Sequence, residues 1–185
     1  MRSLAIAISL LAITSAAIAD QIPSGQSQSG KIAWELRGED GAKTVWLSSP
    51  TKPEWQPVML CETEAWGNME LRVSPDDYWI AITDGGSSLG VHLKLFRREK
   101  GLVYKLQKED VEGQLAYMAL NLPSSAEYPF DHQYTRIVKW SENSKYVLFK
   151  TSGHGGNKYK IEEFMAVYDL GKKTMSRDLN KINAD

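Results

Sequence analysis

The sequence is short of the residues that build covalent or metal frameworks. Its 185 residues include one cysteine, Cys61, so no intrachain disulfide forms and no CxxC zinc or redox motif exists. The three histidines, His92, His132 and His154, are scattered, without the HxH or HExxH spacing that sets two imidazoles on one metal. An excess of one charge is missing as well: 22 Lys+Arg against 23 Asp+Glu leave a formal net charge of −1. Such a balance supplies no polybasic field for a nucleic-acid backbone or an anionic membrane surface, and neither is expected as a partner. No GxSxG elbow, phosphate-binding glycine loop or paired-carboxylate spacing occurs, and no residue pattern calls for a cofactor.

What is present is ordinary for a globular chain: 42% hydrophobic and 24% charged residues, compatible with one sizeable core. The N-terminus reads as an address. Met1-Arg2 gives a short positive region, an apolar stretch follows, and Ala17-Ile18-Ala19 supplies the small-x-small pattern that signal peptidase cuts after. Roughly 15 apolar residues fall short of the ~20 that a permanent spanning helix needs. Residues 1–19 are therefore expected to be removed, giving a periplasmic or secreted chain with no membrane attachment after cleavage. Residues 20–30 are rich in Gln, Ser and Gly and read as a flexible linker, and residues 31–185 as a single β-rich domain. Cys61 follows Val58-Met59-Leu60 and is expected to be buried as a small hydrophobe.

From Lys31 the punctuation is that of antiparallel hairpins. Lys31 to Arg37 alternates, Gly38 to Gly41 turns, and Lys43 to Ser48 returns. A Pro-rich loop from Ser49 to Pro57 leads to strands at Val58 to Cys61 and Met69 to Val73. Tyr78 to Thr83 (YWIAIT) is apolar on both faces, the mark of a strand covered on both sides. A turn is expected over Asp84 to Gly90, then strands at Val91 to Arg97 and Leu102 to Leu106. Val111, Leu115, Met118 and Leu122 recur at helical spacing, predicting one short helix over 110–120. Strands at Thr135 to Trp140 and Lys145 to Lys150, a Gly-rich turn over Thr151 to Lys158, and a closing hairpin around Gly171 complete the chain.

An internal repeat organises this pattern. Val73-Ser-Pro-Asp-Asp-Tyr-Trp-Ile-Ala-Ile82 aligns without a gap with Trp140-Ser-Glu-Asn-Ser-Lys-Tyr-Val-Leu-Phe149, 67 residues on. Both copies continue into a Gly-rich turn, an alternating strand and a basic turn, as a blade's hairpins require. VSPDDYWIAI and WSENSKYVLF resemble the FSPDGKxIAF repeat of TolB-like and dipeptidyl-peptidase-like β-propellers, and MAVYDLGKKT is similar to that repeat's outer strand and turn. The second copy departs from the pattern, with Glu142-Asn143-Ser144 in place of Pro-Asp-Ser, and a third copy is expected around Trp34 to Leu47. The resemblance implies propeller-like blades and does not imply one function, because such folds host binding, scaffolding and catalysis alike. A blade takes about 40–45 residues and a ring roughly four to eight blades, so the 166 residues from Asp20 onward predict an incomplete or open arrangement. The fold class expected is thus mainly β, in antiparallel meander sheets with one short helix.

Candidate functional residues fall in loops. Asp84, Gly85 and Gly86 occupy a place in the repeat equivalent to that of Ser152-Gly153-His154-Gly155-Gly156, the loop that holds His154 and Gly155 and is followed by Asn157. Both loops are expected at one edge of the sheet, forming a joint recognition surface. Trp79 and Trp140 lie in repeat strands and read as core; Trp55 and Trp66 lie in loops and could act as stacking platforms for a glycan. The expectation is an exported, non-catalytic binding module for a protein partner. The alternatives are a secreted hydrolase using His154 or Asp84, and a glycan-binding domain using Trp55 and Trp66.

Overall fold

The computed structural model describes residues 24–38, 43–63, 69–87, 90–156 and 158–183. The expected signal segment, Trp66 and Asn157 lie outside the described residues.

The strands run in chain order as β1 (Ser24–Gln26), β2 (Ala33–Arg37), β3 (Lys43–Ser48), β4 (Val58–Thr63), β5 (Glu70–Val73), β6 (Trp79–Ser87), β7 (Gly90–Lys100) and β8 (Val103–Leu106). Helix α1 (Val111–Leu120) intervenes before β9 (His132–Trp140), β10 (Tyr146–Gly155), β11 (Tyr159–Asp169) and β12 (Thr174–Ser176). They form three antiparallel meanders of four strands each: β1–β4, β5–β8 and β9–β12. The second and third are joined at one end, where Gly90 and Val91 of β7 pair in parallel with Gln133 and Tyr134 of β9.

The meanders pack face to face. One core holds Ile32, Leu36, Val45 and Leu47 of the first meander against Leu71, Ile80, Ile82 and Phe96 of the second. Another holds Ala81 and Leu95 against Ile137, Val147, Phe149, Ala166 and Tyr168 of the third, with Val111 and Leu115 of α1 closing it. Ile80 and Ile82 serve one core and Ala81 the other, which is why YWIAIT is apolar on both faces. Each fully buried aliphatic side chain contributes roughly 1.5–3 kcal/mol. No core among the described residues joins the first meander to the third, so the array is an open arc. Helix α1 is stopped at its N-terminus by Asp110, whose Oδ1 accepts from Gly113 N at 2.8 Å. A Cβ at Gly113 would lie 2.1 Å from that carboxylate as it stands, so a larger residue there would shift the Asp110 side chain.

A six-residue turn opens every meander. In Ser74–Trp79 the Ser74 hydroxyl accepts from Trp79 N at 2.9 Å, and Asp76 Oδ1 accepts from Tyr78 N at 2.9 Å. In Ser141–Tyr146 the Ser141 hydroxyl accepts from Tyr146 N at 2.9 Å, and Asn143 Oδ1 from Lys145 N at 3.0 Å. The fourth residue is left-handed in both, Asp77 at φ 60° and Ser144 at φ 56°.

The third copy is found earlier than expected. Ser27–Ile32 repeats the same bonds, Ile32 N to Ser27 Oγ at 3.2 Å and Lys31 N to Ser29 Oγ at 3.1 Å, with Gly30 at φ 74°. The repeat therefore begins at Ser27 and not around Trp34. Residues 24–30, read as flexible linker, are instead strand β1, paired with β2, and this turn. Their Gln/Ser/Gly composition belongs to turn chemistry.

Two expected turns are also strand. β6 continues through Asp84, Gly85 and Gly86 to Ser87, and β10 through Thr151 to Gly155, with register shifts in both. Glycine within a strand marks a bulge or a close backbone approach. A Cβ on Gly155 would lie 1.8 Å from the Pro129 carbonyl oxygen. Beyond β12 a 3-10 turn follows, Leu179–Asn183, which the sequence pattern does not announce.

Candidate functional site

The register decides what stands next to what. Ser87 pairs with Gly90, Gly90 with Gln133, and Gln133 with Gly153, so the Asp84 and His154 segments emerge at one end of the eight-stranded sheet. The aromatic Trp55 lies elsewhere. Its ring is 3.7 Å from where a Cβ on Gly101 would sit, at the other end of β7, a separation of roughly 30 Å for a strand of that length. Trp55 also carries the Lys52 ammonium 4.3 Å from its ring centroid and packs on the first core.

Asp84 is 5% exposed. Its Oδ2 lies 3.2 Å from Lys94 Nζ, which also donates to the Glu62 carbonyl at 3.1 Å. The other oxygen, Oδ1, is buried without a hydrogen-bond partner. A carboxylate so placed ties β6 and β7 to β4, and its charge is compensated by one cation. Nearby, burial pushes the Cys61 thiol up to about 11, with Lys94 pulling the other way, so the sulfur is a neutral thiol at physiological pH. The expected burial of Cys61 is thus partial: the residue is half-buried against the first core.

His154 is exposed on β10 and stands directly across from His132 on β9. The rings stack with centroids 4.7 Å apart and planes inclined by 25°. The neighbouring Asp131 does not serve His132: its Oδ2 accepts from Gly156 N at 2.7 Å. Tyr134, on the same face two positions along β9, is 41% exposed.

On the opposite face the same strand ends hold a polar network. The two Gln133 Nε2 hydrogens are shared among Thr135 Oγ1 and Thr151 Oγ1, both 3.1 Å away, and the Glu112 carbonyl at 3.2 Å, while its Oε1 accepts from the Tyr128 hydroxyl. Glu112, in the first turn of α1, accepts from Leu93 N at 3.1 Å and lies 3.6 Å from His92 Nδ1. Burial raises its carboxyl above the usual range, against the opposing pull of His92. The sheet end is thereby fixed from beneath, and its exposed rings sit on a rigid support.

His132, Lys94 and Glu112 escape the sequence reading because each is isolated in the chain. The 21 residues between His132 and His154 hide a directly opposed pair, and only the hairpin register reveals it. Among the described residues no three His, Cys, Asp or Glu side chains gather as a metal site, and no helix is long and apolar enough to cross a membrane.

No protein-family model and no curated protein matches the chain. Among solved structures it is similar to TolB of Acinetobacter baumannii, with a TM-score of 0.48 and 10% identity over 84% of this chain and 31% of that one. It is also similar to an uncharacterised protein of Listeria monocytogenes EGD-e, with a TM-score of 0.45 and 10% identity over 82% of this chain and 37% of that one. The chain thus spans about a third of the length of these two structures, to which its likeness is distant.

Proposed function

We propose that this chain is an exported, non-catalytic binding module that recognises a protein partner at the sheet end carrying His132, His154 and Tyr134. The observation that carries the reading is this group of rings on one face of β9 and β10, with Tyr134 41% exposed. Aromatic side chains held on rigid strands present large contact area at small entropic cost, the usual make-up of interface anchors. A hydrolase built on Asp84 or His154 is less well supported. Asp84 is ion-paired and 5% exposed, and the ring partner of His154 is another imidazole and not a carboxylate. The glycan reading has less support, since Trp55 packs on the first core and already carries the Lys52 ammonium 4.3 Å from its ring centroid.

The test is cross-linked capture from a native envelope extract with the mature chain as bait, identified by mass spectrometry. One specific partner is expected, and the paired substitutions His154→Ala and Tyr134→Ala should lower its capture at least about tenfold, the scale of a hot-spot loss. Capture that survives both substitutions unchanged overturns this assignment of the surface.

A further inference from the structure

At the opposite end of β7, the near-zero net charge conceals a local excess of one sign. Two adjacent hollows, one of about 510 Å3 walled by β7, β8 and the segment after β8 and one of about 400 Å3 between the second and third meanders, share Tyr78, Arg97 and Gln107 in their walls. Lys105 and Lys108 line the first, Lys145 the second. Arg97, Lys105, Lys108 and Lys145 have no carboxylate partner among the described residues. The acids of the same walls are largely committed. Glu109 pairs with Lys173, and Asp169 Oδ1 accepts from Gly171 N at 3.0 Å and Lys172 N at 2.9 Å, which leaves Glu99 without a cationic partner among the described residues.

The register adds a second, independent sign. Arg97 of β7 stands directly opposite Lys105 of β8. Like charges at directly opposed positions of an antiparallel pair destabilise it, and a bound anion would remove that cost. On its other side Arg97 lies 5.3 Å from the Tyr78 ring and 5.8 Å from the Trp79 ring, so the guanidinium is oriented before any ligand arrives. Lys145 faces it from the repeat position equivalent to Tyr78, 67 residues on. Apolar surface is interleaved with the cations: Leu106 is 50% and Tyr78 38% exposed.

We infer that this cleft binds an acidic, partly apolar peptide segment of a partner protein. The inference rests on the reading of the chain as a protein-binding module and assigns a surface at the other end of the sheet from the rim. The cations are spread along two hollows and alternate with apolar side chains. That distribution fits an extended chain bearing several carboxylates and does not converge on one phosphate-sized point. Attraction of this kind acts mainly on encounter and specificity and weakens with salt.

The test is fluorescence anisotropy of a labelled peptide of alternating glutamate and leucine with the mature chain. Saturable, salt-sensitive binding is expected, weakened at least about tenfold in the double variant Arg97→Gln, Lys145→Gln. Glu99→Gln, which removes that carboxylate, should tighten it and keeps the inference testable if the double variant misfolds. Equal binding of the glutamine-for-glutamate peptide, unchanged binding by all these variants, or displacement by inorganic phosphate or single-stranded DNA at equal charge would each overturn it. Failure of the module reading is separate: peptide binding through the cleft with no envelope partner captured removes that reading alone. Capture lost in the rim variants, with no peptide binding, removes the cleft alone.

Discussion

Asp77 is 1% exposed, left-handed at φ 60°, and its carboxylate accepts from the single Ser29 hydroxyl 48 residues earlier, whose oxygen lies 2.6 and 2.8 Å from the two carboxylate oxygens. The next joint of the array is built the same way, Asp76 N donating to Ser144 Oγ at 3.1 Å. In each case the third residue of one turn meets the fourth residue of the turn after it. A non-glycine residue in the left-handed region costs about 1–2 kcal/mol. Gly30 avoids that cost at the head of the array, while Asp77 and Ser144 bear it to supply a side chain that the preceding turn can reach. Removing the Ser29 hydroxyl leaves a buried carboxylate without that donor. Ser29→Ala is expected to lower the unfolding free energy by roughly 1.5–3 kcal/mol, the range for a hydrogen bond to a charged group. The measurement is the urea midpoint at constant m, and a midpoint equal to that of the parent chain would refute the joint.

At the scale of elements, the glycines of β10 separate two physical roles that look alike in sequence. Gly155 has no room for a Cβ, with the Pro129 oxygen 1.8 Å from that position, whereas Gly156 has open space there but a φ of 51°. Gly155→Ala should therefore act by displacing the 129–131 segment from β10, costing about 1–3 kcal/mol as overpacking does. It should also lower hydrogen-exchange protection of Asp131 N, which donates to the His154 carbonyl at 3.0 Å. Gly156→Ala should cost about 1 kcal/mol of backbone strain and leave that amide protected. Identical exchange in the two variants would show that the close approach plays no part. The same distinction explains what was readable beforehand. Alternation identified the hairpins, the apolar spacing from Val111 to Leu122 the helix, and the Ser-x-Asp/Asn turn two of the three repeat copies, because these are local patterns. The first copy was hidden since Gln28, Ser29 and Gly30 have the composition of a linker, and turn bonds between backbone and hydroxyl leave no mark in composition. The His132–His154 stack and the Arg97–Lys105 opposition depend on register, which no single strand encodes.

For the whole molecule the question is how an open arc ends. Its first joint and its second use the same turn geometry, and an array of repeats needs outer surfaces adapted to solvent at its two termini. The first meander meets this with charge: Glu35 and Arg37 bond at 2.5 Å, and the Arg37 guanidinium lies 4.5 Å from the Trp46 ring on the face turned away from the first core. The third meander meets it with the C-terminal 3-10 turn. Ile182, 5% exposed, covers Leu148 and Val167 on the face of the third meander turned away from the second core. Lys139 Nζ holds this turn by donating to Asn183 Oδ1 at 2.8 Å. Placing a carboxylate at the centre of that contact both removes an aliphatic side chain and buries an unpaired charge. Ile182→Asp is accordingly expected to cost about 3–5 kcal/mol, at the upper end of large-to-small core substitutions. Ending the chain at Asp178 is expected to expose Leu148 and Val167 as an unpaired apolar face, and the shortened chain should then self-associate in a concentration-dependent way. Light scattering coupled to gel filtration reads this directly: a rise in mean mass for the shortened chain relative to the full one is the predicted result. Unchanged mass together with an unchanged melting temperature would mean that the 3-10 turn does not cap the array.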